Sequence, residues 1–96
     1  MRILLTGASG EIGAPLISRL QERQHEVHAI SRLKRPEYQG SVQWIRADIC
    51  DPKSLYSACQ CEPQVVVHMA AATHSVRTTN YYAVNVQGTL NLIEAL

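Results

Sequence analysis

Apolar residues fall along the chain in two alternating periods. Residues 2–6, RILLT, form a compact apolar run ended by glycine, which predicts a short buried strand. Over residues 11–24, Ile12, Leu16, Ile17 and Leu20 recur on one helical face while Arg19, Glu22 and Arg23 fall off it. Pro15 belongs in the first turn of that helix, because deeper in it would remove a backbone hydrogen bond. Residues 26–31 and 42–47 read as the second and third strands, separated by the loop RLKRPEYQG. A short helix over 52–60 opens with Asp51 as N-cap and Pro52 in its first position. Residues 64–69 contain VVV, a β-branched run typical of a strand buried on both faces. A last helix runs from about residue 79 to residue 96, weakened locally by Gly88. Apolar strands that alternate with helices predict an α/β unit whose parallel sheet is joined by helical crossovers.

The segment TGASGEIG, Thr6 to Gly13, lies where the first strand hands over to the first helix. A helix start offers unpaired backbone N–H groups and the positive end of its dipole, which together suit a phosphate. Gly7 allows a tight turn off the strand, Gly10 removes a Cβ that would hold a diphosphate away, and Gly13 lets the helix lie close to the sheet. Ser9, Glu11 and Ile12 complete the candidate loop. The bland alternative is a tight turn that binds nothing. Placement after the first strand of an alternating pattern favours a dinucleotide over that alternative.

The spacing TGxxGxxG resembles the N-terminal part of an extended short-chain dehydrogenase/reductase, of the NAD(P)-dependent epimerase/dehydratase family. Three further stretches carry the resemblance, in order: WIRADICD, VVVHMAAATHSV and YYAVNVQGTLNLIEAL. It implies a Rossmann-type domain over residues 1–96, with helices on both faces of the sheet and strand order 3-2-1-4, the first part of a doubly wound fold. It also implies that Asp48 faces the adenine amino group and Ile49 packs on the base. Met69, Ala70 and Ala71 would let the backbone approach the cofactor, and Asn85 would support the site from the last helix.

An NAD site usually has an acid about 20 residues beyond the glycine loop, for the ribose hydroxyls. Here that place reads Ser31-Arg32, and no carboxylate follows until Glu37. Arg32, with Lys34 and Arg35 near it, offers paired charge-assisted bonds to a 2′-phosphate, so NADP is preferred over NAD. Solvated loop charges are the competing reading, a better one for Lys34 and Arg35 than for Arg32. Related sequences commonly place glycine just before the second strand, where the helix closes in a left-handed residue. This chain has Gln24 there, at a cost of about 1 kcal/mol unless the turn closes differently.

The family's chemistry uses a Tyr-x-x-x-Lys pair with a nearby Ser or Thr. Neither Tyr81 nor Tyr82 has lysine four places on, so the four tyrosines read as packing residues and no catalytic residue is assigned. His68 reads as a packed or hydrogen-bonded histidine rather than a base, and Thr73 and Ser75 lie where a substrate would come. His25, His28 and His74 lack metal-ligand spacing, and Cys50, Cys59 and Cys61 read as reduced thiols rather than a disulfide framework or zinc site.

A formal net charge of +1 over 96 residues gives no general pull towards nucleic acid or an anionic membrane. The first apolar run is too short for a signal peptide and no run is long enough to span a bilayer, so a cytoplasmic protein is expected. Two functions from different classes remain. One is the NADP- or NAD-binding part of a nucleotide-sugar epimerase, dehydratase or reductase acting by hydride transfer on a small-molecule substrate. The other is a non-catalytic NAD(P)-binding regulatory or redox-sensing module. The fourth strand would be an apolar sheet edge, which implies a homo-oligomer, another edge-strand association, or a longer polypeptide.

Overall fold

The computed structural model describes residues 1–32, 41–71 and 78–96. Lys34, Arg35, Glu37, Tyr38, Thr73, His74 and Ser75 therefore lie outside the described residues. Four parallel strands, β1 (Arg2–Thr6), β2 (Glu26–Ser31), β3 (Gln43–Arg46) and β4 (Val65–His68), form one sheet in the order β3-β2-β1-β4. Helix α1 (Gly13–Glu22) follows β1, and α2 (Pro52–Ala58) with a 3-10 turn (Cys59–Cys61) follows β3. After β4 come α3 (Thr78–Tyr81), a π-helical segment (Tyr82–Gln87) and α4 (Gly88–Ala95).

Alternation along each strand sends side chains to opposite faces. Ile3 and Leu5 join Ile17 of α1, with Val27 and Ala29, in one core layer. Leu4 and Ile30 join Leu55, Ala58 and Leu92 in the other, beneath α2 and α4. Helices thus cover both faces, as the sequence pattern predicts. Asp51 caps α2 by accepting from the Lys53 amide at 3.2 Å, with Pro52 in the first helical position. Pro15 sits in the first turn of α1.

Two expectations need correction. The VVV run is not buried on both faces: Val65 is exposed and Val66 and Val67 are only partly buried, because β4 is the outer strand and pairs with β1 alone among the described residues. This is the apolar edge that the strand order predicts. The last helix, in turn, is not uniform, since six of its residues are π-helical. There the Thr89 hydroxyl donates to the Asn85 carbonyl at 2.8 Å. Such a bond from a threonine hydroxyl to the carbonyl four residues back bends or loosens a helix slightly. Gly88 is also more than a weak point. A Cβ there would stand 2.8 Å from Ile49 Cδ1, so the glycine lets α4 close over that side chain.

The turn after α1 closes with Gln24 at φ 64°, left-handed as expected. The His25 amide reaches the Leu20 carbonyl at 3.1 Å and the Gln24 amide reaches that of Gln21 at 2.9 Å, the paired bonds of a Schellman turn. Left-handed backbone costs an L-residue about 1–2 kcal/mol, and glycine's extra unfolded-state entropy offsets about 0.5–1 of it. Gln24→Gly should therefore stabilise the fold by about 1 kcal/mol and raise the melting temperature by about 4–8 °C. An unchanged thermal transition would contradict this strain.

Candidate dinucleotide site

The crevice opens at the carboxyl ends of the strands, where chain order reverses between β1 and β4. A cavity of about 380 Å³ lies there. Its floor is the β1 turn, Thr6, Gly7, Ser9 and Gly10. The ends of β2 and β3 contribute Arg32, Asp48, Ile49 and Cys50, while Met69, Ala70 and Ala71 come from beyond β4 and Val84 from the π-helical segment.

The turn itself consists of two successive three-residue closures. Gly10 donates to the Gly7 carbonyl at 3.2 Å, and Gly13 to the Gly10 carbonyl at 3.1 Å. Those glycine amides are spent inside the loop. The amides of Ser9, Glu11 and Ile12 make no hydrogen bond among the described residues and are the donors left for an anion. Gly7 has φ +70°, and a Cβ on it would meet the Ala70 nitrogen at 2.6 Å, so this glycine serves both the turn and the close approach of β4. A Cβ on Gly10 would meet only the Gly7 carbonyl oxygen, at 3.4 Å, so protein atoms leave its outer side open. Gly13 is packed more tightly still. Its first neighbour is the loop's own Ala8, whose carbonyl oxygen would lie 1.7 Å from an added Cβ.

Of the predicted residues, Gly7, Ser9, Gly10, Arg32, Asp48, Ile49, Met69, Ala70 and Ala71 are brought together around one cavity. Glu11, Ile12, Gly13 and Asn85 do not line it. Glu11 and Ile12 are exposed at the start of α1, Gly13 is buried under Ala8, and Asn85 is exposed in the π-helical segment.

Asp48 is held in place by its neighbours. Its Oδ1 accepts from the Cys50 amide at 2.9 Å, and its own amide donates to Ser54 Oγ at 3.0 Å. Ile49 is fixed from behind, since buried Asn91 donates to its carbonyl at 2.9 Å while Gly88 admits its side chain. Burial pushes the Cys50 thiol above its ordinary value, Asp48 adds to the rise, and the Arg32 charge opposes it. Cys50 therefore faces the cavity as a thiol rather than a thiolate.

Sequence reasoning did not single out Thr6, Ser54 or Asn91. Thr6 is fully buried, and its Oγ1 accepts from the amides of Met69 and Ala70, each at 3.1 Å. It fastens the end of β1 to the segment beyond β4. The one available signal was its position directly before Gly7. His68 is hydrogen-bonded, as expected, to Thr6 through Nδ1 and to Thr89 through Nε2. Among the described residues, no group of three or more His, Cys, Asp or Glu side chains is arranged to hold a metal ion, and no helix is long and apolar enough to cross a membrane.

Residues 3–96 match the family model described as the NAD dependent epimerase/dehydratase family. An uncharacterized protein of Mycobacterium tuberculosis is 38% identical over 96 residues, covering 100% of this chain and 10% of its own length. The structure of UDP-glucose 4-epimerase from Thermus thermophilus in complex with NAD has a TM-score of 0.85 and 34% identity, covering 99% of this chain and 33% of that one. The Bordetella bronchiseptica enzyme WbmG in complex with NAD and UDP has a TM-score of 0.84 and 30% identity, again covering 99% and 33%. The chain thus spans a tenth of the first relative and a third of each solved one.

Proposed function

The chain belongs to the NAD dependent epimerase/dehydratase family, and from that premise we propose that it is the dinucleotide-binding part of an enzyme that acts on nucleotide sugars by hydride transfer. One observation carries the reading. The free amides of Ser9, Glu11 and Ile12 flank Gly10, whose missing Cβ leaves the mouth of the crevice open. The residues present suit a nicotinamide dinucleotide: amides for the diphosphate, Asp48 and Ile49 for the adenine, and Met69 to Ala71 for the backbone approach towards the nicotinamide. When bound, the nicotinamide supplies the hydride acceptor or donor. This chain's own residues bind and orient it. None of them is assigned the transfer of a proton. UDP-glucose 4-epimerase and the NAD and UDP complex of WbmG support a nucleotide sugar as substrate. Calorimetric titration of the chain with NAD and NADP tests the binding, and no saturable heat with either would overturn it.

The 2′-phosphate preference rests on Arg32. It is exposed, lines the cavity directly after buried Ser31, and meets no acid at the end of β2. Hydrogen bonds to a charged group are worth about 1.5–3 kcal/mol, or about 10- to 100-fold in affinity. Arg32→Ala should weaken NADPH by that factor while changing NADH by no more than about threefold. Equal losses for both dinucleotides would remove the argument for NADP.

A further inference from the structure

His68 closes a hydrogen-bond chain that runs from Asn85 through Thr89 to Thr6. The Thr89 hydroxyl gives its proton to the Asn85 carbonyl, at 2.8 Å. With its proton on that carbonyl, Thr89 Oγ1 accepts from His68 Nε2, 3.0 Å away, which is the bond of the Nε2–H tautomer. In the neutral ring Nδ1 is then the acceptor, and the Thr6 hydroxyl donates to it. Thr6 Oγ1 accepts from the Ala70 amide at 3.1 Å and shares the Met69 amide with the Thr6 carbonyl, each also at 3.1 Å. In this arrangement each group of the chain has a partner.

We propose that His68 is a positioning residue for the dinucleotide: as the Nε2–H tautomer it orients the Thr6 hydroxyl, which sets the wall formed by Met69 and Ala70 where β1 and β4 meet. The inference rests on the dinucleotide reading above. His68 does not itself line the cavity, and of its two hydrogen-bond partners among the described residues, Thr6 and Thr89, only Thr6 does, so its effect on a ligand passes through Thr6. Protonation of Nδ1 would aim a second donor at Thr6 Oγ1 and leave the threonine proton without its acceptor. Burial holds the imidazole below its ordinary value, in agreement with a neutral ring. Thr6 and Met69 to Ala71 bring no charge to it, nor does the π-helical segment. The charged residue of β1 is Arg2, at that strand's opposite end, and that of α4 is Glu94, five places beyond Thr89.

The test has three readouts on the 96-residue chain. Long-range nitrogen–proton correlation spectra of the free protein should show His68 with a protonated Nε2 and a bare Nδ1; a protonated Nδ1 at neutral pH overturns the relay whatever the cofactor does. His68→Leu should weaken NAD about tenfold, and His68→Asn, whose Oδ1 can replace Nδ1 as acceptor for Thr6, should restore affinity to within about threefold. Equal affinities for wild type, His68→Leu and His68→Asn overturn the proposal, as do equal losses in both variants. Wild-type affinity should also fall as pH drops below 6.5, the ordinary value for histidine, because the bound state needs the neutral ring. That fall should vanish in His68→Asn and persist in His74→Asn; its persistence in His68→Asn overturns the proposal. If His68→Leu does not fold, the His68→Asn pH profile and the tautomer decide. Failure of wild type to bind NAD, with the tautomer as stated, overturns the dinucleotide reading and supports the relay as a device of the fold.

Discussion

Gly13→Ala should cost the fold about 3 kcal/mol or more, although helix propensity argues the opposite. Alanine is favoured over glycine by about 1 kcal/mol within a helix, and Gly13 is the first residue of α1. Sterics decide the sign. The new Cβ would be placed 1.7 Å from the Ala8 carbonyl oxygen and 2.5 Å from its carbonyl carbon. These are backbone atoms of a residue only 3% exposed, so no flexible side chain can yield. The loop must separate from α1, which breaks the Gly13 to Gly10 bond and loosens Ala8 against Ile17 in the core. Overpacking of this kind typically costs about 1–3 kcal/mol when neighbours adjust, and more when backbone must move. For a domain of this size that lowers the melting temperature by on the order of 12–24 °C. Thermal unfolding followed by circular dichroism checks it. A transition within about 2 °C of wild type would mean that the contact between Gly13 and Ala8 is not the reason for glycine at this position.

Much of the fold was legible because burial imposes periodicity. The alternation of RILLT already separates Leu4 from Ile3 and Leu5, and these residues enter the two different core layers. The left-handed turn at Gln24 was legible only through the glycine that related sequences commonly place there, since glutamine itself gives no such signal. The equivalent turn at Glu62, φ 53°, carried no such signal, since nothing in the CQCEPQ stretch demands positive φ. Lining residues were legible where small size is itself the message, as at Gly7, Gly10 and Ala70. Thr6, Ser54 and Asn91, which act by hydrogen bonding, were not. Thr6 reads as one more strand former, and Asn91 as a polar residue on a helix, until three dimensions show which amide or carbonyl each faces. The π-helical segment was hidden for a related reason: six residues of altered winding hardly disturb an apolar pattern. The site's outline follows from shape, which sequence records. Its fastening follows from pairings between residues as far apart as Thr6 and Ala70, which sequence does not record.

Gly10→Ala should do the reverse of Gly13→Ala, sparing the fold and removing the ligand. Gly10 does not have the positive φ that Gly7 has, so an L-residue fits its backbone. The added Cβ would meet only the Gly7 carbonyl oxygen at 3.4 Å, which is ordinary van der Waals contact. Replacing glycine at a compatible position stabilises a protein by about 0.4–1 kcal/mol through the unfolded chain, so the melting temperature should hold or rise. The methyl group would instead project towards the cavity that Gly7, Ser9 and Gly10 line, beside the free Ser9 amide. A diphosphate pressed against the turn's free amides has to retreat by about the radius of a methyl group. Its charge-assisted bonds, each about twice as strong as neutral ones, lengthen together. An overpacking penalty of about 1–3 kcal/mol transferred to the complex is about 10- to 100-fold in affinity. Calorimetry with NAD and NADP, run beside a thermal melt of the same sample, measures both quantities. Loss of affinity without loss of stability separates Gly10 from its two neighbours in the motif, whose own Cβ positions are filled by backbone. Unchanged affinity for both dinucleotides would place their diphosphate elsewhere, and the glycine-rich turn would then be only the bend that starts α1.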